Sequence, residues 1–200
     1  MGCLEKEFFR IIMPQKRIFL IHGWGGGPDG GWLSWLKAKF EGCGYKVIAP
    51  QMPNTETPKI KEWVAKLSEI VGSPDEGTFF IGHSIGCQAI LRYLETLPPG
   101  IKVGGALFVA GWLTLTGLET EEDKEIAGPW LKNDIDFEKI KKHYKRFIAL
   151  FSDDDPFVPL ENKKFFEEKL NAKTKVEHNM GHFDESEVPV ILDLAIKILS

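Results

Sequence analysis

Short apolar runs alternate with segments of helical periodicity along most of the chain, and this alternation is the strongest constraint on its fold. The apolar runs predict six strands, at positions 17–21, 46–49, 78–81, 105–110, 147–151 and 175–177, and the periodic segments predict helices at 32–40, 60–71, 85–97, 160–170 and 188–199. Strands made of continuous apolar residues are typical of a parallel sheet covered by helices on both faces. The prediction is an α/β fold, a three-layer α/β/α sandwich around a six-stranded parallel sheet.

Chain length and the position of the first strand predict a single domain. The chain has 200 residues, enough for one sizeable hydrophobic core. We assign residues 13–200 to this domain and treat residues 1–12 as an N-terminal extension, either an upstream addition or a short helix that caps the sheet. Segment 112–146 falls outside the alternation, and the sequence leaves open whether it forms a lid or a decorated crossover.

Charge and composition argue against several classes of function. The formal net charge is −4, and Lys and Arg are not clustered as a nucleic-acid-binding surface requires. No apolar run approaches the roughly 20 residues that span a bilayer, and the first twelve residues lack a secretory apolar stretch. The three cysteines have no metal-binding spacing, so we expect reduced thiols, no metal site and a cytoplasmic location.

The sequence G-H-S-I-G at 82–86 lies between a predicted strand and a predicted helix. This is the G-x-S-x-G pattern of a nucleophile elbow, in which a sharp turn exposes the central serine. Side chains at Gly82 or Gly86 would collide across such a turn, and the following helix N-terminus favours developing negative charge. The pattern predicts Ser84 as a nucleophile; a purely structural turn serine is the alternative.

A serine nucleophile needs a base, and in α/β-hydrolases the chain order is Ser, then Asp or Glu, then His. Three histidines follow Ser84. His143 lies in the lysine-rich run K-K-H-Y-K, which predicts a solvated helix face, and His178 ends the last strand. His182 lies in a loop just beyond that strand, where it can reach the nucleophile, so we predict His182 as the base.

The candidates for the acid are Asp153, Asp154 and Asp155, which directly follow the fifth predicted strand. Three adjacent carboxylates repel one another, so not all of them can be buried. A residue before proline favours extended backbone, which suits a rigid loop presenting one carboxylate. We therefore predict Asp155 as the acid, with Asp154 in reserve. A calcium loop would alternate its ligands and use glycine at its turn, which this segment does not.

The glycine-rich loop after the first strand predicts an oxyanion hole. Its sequence begins H-G-W-G-G-G at 22–27. The loop lacks the G-K-[ST] of a P-loop, and it lacks the dinucleotide-binding arrangement of G-x-G-x-x-G followed by an acidic residue near +20. In an α/β-hydrolase the donors would be the backbone N–H groups of Trp24 and Ile85. Trp24 and Trp112, near predicted strand ends, are candidates for lining a substrate pocket, and Cys87 is expected to be buried packing.

Five motifs together resemble the small YdeN-like serine hydrolases, a family that includes retinoblastoma-binding protein 9. They are H-G-W-G-G, M-P-N followed by Trp63, G-H-S-I-G-C, D-D-P-F-V-P and G-H-F, and they cover the chain from about Arg17 onward. The resemblance implies a compact α/β-hydrolase with little or no lid and a triad of Ser84, Asp155 and His182. The N-terminal extension and Asp153 depart from the family pattern.

The predicted function is hydrolysis of a small-molecule ester, thioester or amide through an acyl-Ser84 intermediate. Water completes such a cycle, so no cofactor is expected. The alternative is a non-catalytic protein-binding module on the same scaffold, because fold alone does not establish chemistry. Transfer of the acyl group to an acceptor other than water is a third possibility. The sequence leaves a protein partner or a homodimer undetermined.

Overall fold

The computed structural model describes residues 15–144 and 146–200 of the chain. In these residues the strands are β1 (Arg17–Ile21), β2 (Lys46–Ile48), β3 (Thr78–His83), β4 (Gly105–Val109), β5 (Phe147–Ser152) and β6 (Lys173–Glu177). The helices are α1 (Trp32–Gly42), α2 (Ile60–Val71), α3 (Ile85–Thr96), α4 (Glu121–Lys132), α5 (Phe137–Ile140), α6 (Glu161–Leu170) and α7 (Pro189–Leu199). The predicted N-terminal extension, residues 1–12, lies outside the described residues.

The strands form one parallel sheet in the order β2-β1-β3-β4-β5-β6. The connection from β1 to β2 runs one way across the sheet, and the connections from β2 to β3 and from β3 to β4 run the other way. Because crossovers between parallel strands are right-handed, this reversal places α1 on the face opposite α2 and α3. The final helix, α7, packs on β3, β4 and β5. The predicted three-layer α/β/α sandwich is therefore confirmed.

The hydrophobic core lies on both sides of the central strands. Every residue of β4 is buried, and β3 is buried up to Gly82. This two-sided burial is why these strands are continuous apolar runs. The outer strands β2 and β6 carry exposed lysines, which discourage pairing with another sheet edge.

Segment 112–146 contains a helix that the apolar pattern did not predict. α4 begins with a capping box, in which Thr120 and Asp123 exchange hydrogen bonds. Its buried Trp130 donates from Nε1 to the Pro58 carbonyl (2.9 Å) and packs edge-on against Trp63. Arg92 of α3 donates to the Trp130 carbonyl at the helix end. α4 is therefore anchored to the body of the domain.

The interpretation of His143 as part of a solvated helix face was wrong. Its side chain is buried, and Nδ1 donates to the Ile101 carbonyl (2.9 Å). α5 ends at Ile140, so His143 follows the helix and turns inward beside the start of β5. The lysine run concealed this because a run of cations is typical of a solvated surface, although Lys141 and Tyr144 beside His143 are themselves only partly exposed.

Two further features bear on the expectations from composition. Cys87 is fully buried on α3, as predicted, and Cys43 is a free, exposed thiol. Within the described part of the chain, no helix is long and apolar enough to cross a membrane.

Candidate active site

Ser84 occupies the turn between β3 and α3 in a strained backbone conformation. Its φ is 52° and its ψ is −121°, a region that non-glycine residues rarely adopt. The glycines on either side make this turn possible. A Cβ on Gly82 would lie 2.9 Å from the Cys87 nitrogen, and one on Gly86 would lie 2.4 Å from the Ile21 carbonyl oxygen. The elbow thus depends on close contact between α3 and the end of β1.

Asp155 and His182 form a buried hydrogen-bonded pair. Nδ1 of His182 lies 2.8 Å from Oδ2 of Asp155, and the two side chains are 12% and 2% exposed. The other carboxylate oxygen of Asp155 accepts the backbone N–H groups of Phe157 and Val158 at 2.9 and 3.0 Å. These bonds fix the carboxylate. With the Nδ1 proton shared with Asp155, Nε2 of His182 is left to act as the basic atom.

The loop that carries His182 is bound by the residues just before Asp155. Successive N–H groups of Asn179, Met180 and Gly181 donate to Asp153 Oδ1, Ser152 Oγ and Asp154 Oδ1, at 3.1, 3.0 and 2.8 Å. Asn179, Gly181 and Phe183 all have positive φ values, of 55°, 49° and 59°. Such backbone persists only where its surroundings hold it. We call residues 178–183 the base loop.

His83 holds the base loop from the opposite side. Its Nε2 donates to the His182 carbonyl (2.8 Å), and its ring centroid lies 4.8 Å from that of His182. Burial, reinforced by the neighbouring His182, lowers the pKa of His83 to about 3. His83 is therefore neutral at physiological pH and serves as a fixed donor.

The loop after β1 is fixed by His22, whose side chain is buried. Its Nδ1 lies 2.8 Å from the Gly23 carbonyl and its Nε2 lies 3.1 Å from the Met52 nitrogen. Only the neutral form with the proton on Nδ1 satisfies both contacts, and burial lowers the pKa of His22 in agreement. Trp24 follows and donates from Nε1 to the Glu56 carbonyl (2.8 Å).

These loops enclose a cavity of about 430 Å³ at the carboxyl ends of the strands. Ser84, Ile85, His182, Trp24 and Trp112 all lie in its wall. Residues 115–118 and Phe157 complete one side. This side is firmly held, because Asn162 Oδ1 accepts from the N–H groups of Leu113 and Thr114 at 2.7 and 3.0 Å. Residues 112–118 therefore form a fixed part of the cavity wall.

The three consecutive aspartates, 153–155, have different contacts in the structure. Asp155, rather than Asp154, contacts His182, while Asp154 and Asp153 bind the base loop. Ile85 is the first residue of α3, where a backbone N–H has no partner within the helix. No group of three or more His, Cys, Asp or Glu side chains in residues 15–144 and 146–200 is arranged to hold a metal ion.

Sequence reasoning missed His83, Ser152 and the anchoring role of Asp153 and Asp154. The signal for His83 was its position inside the elbow motif, which carries no information about what its ring contacts. The acidic run did attract attention, but each carboxylate was weighed only as a candidate acid. Their actual targets are backbone amides, which no side-chain pattern reveals.

Fold and site together define the class as an α/β-hydrolase with a serine at its nucleophile elbow. A family model described as serine hydrolase matches residues 18–188. The chain belongs to this serine hydrolase family, and the protein is a hydrolase.

Individual relatives agree with this membership. The chain is 28% identical to YdeN of Bacillus subtilis (strain 168), over 92% of this chain and 97% of YdeN. It is 29% identical to the serine hydrolase RBBP9 of Rattus norvegicus, over 95% of this chain and 98% of that protein. The crystal structure of the ydeN gene product superimposes with a TM-score of 0.83, covering 92% of this chain and 98% of that one.

Proposed function

We propose that this protein hydrolyses small esters, thioesters or amides through an acyl-Ser84 intermediate. The observation that carries the proposal is the buried contact between His182 Nδ1 and Asp155 Oδ2 beside a cavity that also exposes Ser84. A serine hydroxyl becomes an effective nucleophile only when an oriented base can take its proton. Asp155 supplies that orientation to His182.

In the first half of the reaction, Ser84 Oγ attacks the substrate carbonyl carbon while its proton passes to Nε2 of His182. The carbonyl π electrons move to oxygen, and the N–H groups of Trp24 and Ile85 stabilise the resulting oxyanion. Asp155 stabilises the imidazolium of His182. Collapse of the tetrahedral intermediate breaks the bond to the leaving group, which takes the proton from Nε2.

In the second half, water enters the cavity and His182 accepts one of its protons as the oxygen attacks the acyl-Ser84 carbonyl. A second tetrahedral intermediate collapses, the ester bond to Ser84 Oγ breaks, and Oγ recovers the proton from Nε2. The products are a free acid and regenerated enzyme. Trp24 and Trp112 lie in the cavity wall, and in this proposal they contact the acyl or leaving group.

The test is intact mass after treatment with a fluorophosphonate, run on the parent chain and on Ser84→Ala. We expect one label per parent chain and none on the variant, because only an activated serine displaces fluoride from phosphorus. Ester turnover by Ser84→Ala or His182→Ala should fall by about 10⁴-fold or more. An unlabelled parent chain that folds normally would contradict the proposal and favour a non-catalytic binding module.

A further inference from the structure

The charges that line the active-site cavity are all of one sign. Of the described residues in its wall, two are carboxylates, Asp123 and Asp184, and none is Lys or Arg. Burial lowers the pKa of both His22 and His83, so these wall histidines are neutral near pH 7. The cavity therefore presents negative charge together with a mostly apolar surface.

The chain segments around the cavity show the same bias. Segments 22–33, 112–123, 153–158 and 182–187 contain acidic residues but no Lys or Arg, although the chain has 25 of these cations. The nearest cation along the chain, Lys124, lies beside Asp123. Its Nζ is 2.6 Å from Glu121 Oε1, so this cation is itself paired with a carboxylate.

Asp123 is held in place as a charged group. Its Oδ2 accepts from the Thr120 backbone N–H (3.1 Å) and from the Thr120 hydroxyl (2.7 Å), and these hydrogen bonds lower its pKa. A carboxylate fixed at a helix N-terminus cannot swing away from an approaching anion. Asp184 is exposed and directly follows the base loop, so the two carboxylates come from separate parts of the wall.

We propose that this cavity selects its acyl substrates by charge, admitting neutral and cationic compounds and rejecting anionic ones, with Asp123 and Asp184 as the specificity-determining residues. The inference rests on the proposed function, since it concerns the substrate of Ser84. Clefts lined by charge of one sign and apolar walls focus the field and change local substrate concentration by tenfold or more. Acyl chains bearing a carboxylate, sulfonate or phosphate are thereby disfavoured.

The experiment compares three 4-nitrophenyl esters of nearly equal shape: 5,5-dimethylhexanoate, 4-(trimethylammonio)butanoate and 4-sulfobutanoate. They place a neutral, a cationic and an anionic group at the same distance from the reacting carbonyl. After correction for uncatalysed hydrolysis, we expect kcat/KM for the sulfonate to be about tenfold or more below that for the neutral ester. The kcat/KM for the cationic ester should equal or exceed that for the neutral ester. Adding 0.5 M NaCl should reduce the differences in kcat/KM among the three esters, because at about this ionic strength charges are screened over several ångströms.

The variant that tests the assignment is Asp123→Asn combined with Asp184→Asn. It keeps side-chain size and should raise kcat/KM for the sulfonate severalfold while changing that for the neutral ester little. The matched control is Asp193→Asn, an exposed aspartate on α7 outside the cavity wall, which should leave the ratio unchanged.

Each outcome is decisive for one of three claims: the charge selection, the substrate class or the hydrolase activity. Equal kcat/KM for the three esters, or an unchanged ratio in the double variant, would overturn the charge selection and leave the hydrolase proposal standing. Turnover of none of the esters by a chain that the fluorophosphonate labels would overturn the substrate class. Failure of both labelling and turnover would overturn the proposed function itself.

Discussion

Two Asp–His pairs link the loop after β5 to the base loop after β6, and they differ in their exposure to solvent. Asp155 and His182 are buried, with His182 in the wall of the cavity. Asp153 and His178 lie nearby at the surface, where the histidine side chain is 79% exposed. Both pairs use Nδ1 of histidine and Oδ2 of aspartate.

The comparison separates the Asp–His contact from its surroundings. A carboxylate can orient a histidine anywhere, but in water the ion pair is screened and weak. Asp155 is different because its second oxygen is occupied by two backbone N–H groups and its side chain is almost inaccessible. Its carboxylate is held in place, and its partner His182 lies in the wall of the cavity that also contains Ser84.

Among changes to the aspartates and histidines that link the two loops, other than His182→Ala, the largest expected effect comes from Asp155→Asn. The carboxamide oxygen can still accept from Phe157 and Val158, but its NH₂ group then faces Nδ1 of His182. This forces the proton onto Nε2, the wrong tautomer for a base, so kcat should fall by about 10³- to 10⁴-fold. Steady-state kinetics measure the loss.

A thermal melt checks that Asp155→Asn remains folded, and Asp193→Asn is the surface control. The rate of fluorophosphonate labelling should fall together with kcat, since both need activated Ser84. Parent-like kinetics in a folded Asp155→Asn protein would remove Asp155 from the triad and return Asp154 to consideration.

The intermediate effect concerns Asp154, which belongs to neither pair. Its Oδ1 accepts from Gly181 N–H and from the Ser152 hydroxyl, which in turn accepts from Met180 N–H. Asp154→Ala removes the acceptor and frees the base loop just before His182. A misplacement on the order of 1 Å can cost about 100-fold, so we expect a ten- to hundredfold loss in kcat with little change in KM.

Asp154→Asn separates positioning from charge. Its carboxamide oxygen can accept the same two hydrogen bonds, so it should recover most of the activity that Asp154→Ala loses. Equal losses in both variants would mean that the charge of Asp154 matters rather than its role as an acceptor. Parent-like kcat in Asp154→Ala would show that the base loop does not need this anchor.

Some features of the fold and the site could be predicted from the sequence, and others could not. The strands of the parallel sheet and the elbow motif were predictable because apolar runs and the glycines at 82 and 86 are local features of the sequence. His182 was predicted from chain order together with its place in a loop just beyond the last predicted strand. By contrast, α4 escaped notice because few of its residues are buried and it contains Pro129, although its Thr120 and Asp123 form a recognisable cap. The anchors at 152–154 depend on two loops meeting through the pairing of β5 with β6, which local sequence does not encode.

The smallest expected effect belongs to His178→Gln, which breaks the exposed pair. Hydrogen bonding to Asp153 raises the pKa of His178, and hydrogen bonding to His178 lowers the pKa of Asp153. A raised histidine pKa adds stability below the unfolded value of about 6.5, and this is lost as pH rises through the folded pKa. A lowered aspartate pKa adds stability above the unfolded value of about 3.9, and this is lost as pH falls through the folded pKa.

Both contributions to stability are present near pH 5. The Tm of the parent should therefore exceed that of His178→Gln by the largest amount at that pH, and the two Tm values should be equal by about pH 9. At pH 8, kcat should stay within about twofold of the parent, because exposed pairs contribute little. Thermal melts from pH 4 to 9 and kinetics at pH 8 measure both. A loss of kcat in His178→Gln as large as that in Asp155→Asn would contradict this expectation. It would mean that the exposed pair is as important for activity as the buried pair, and that the base loop needs both Asp–His contacts.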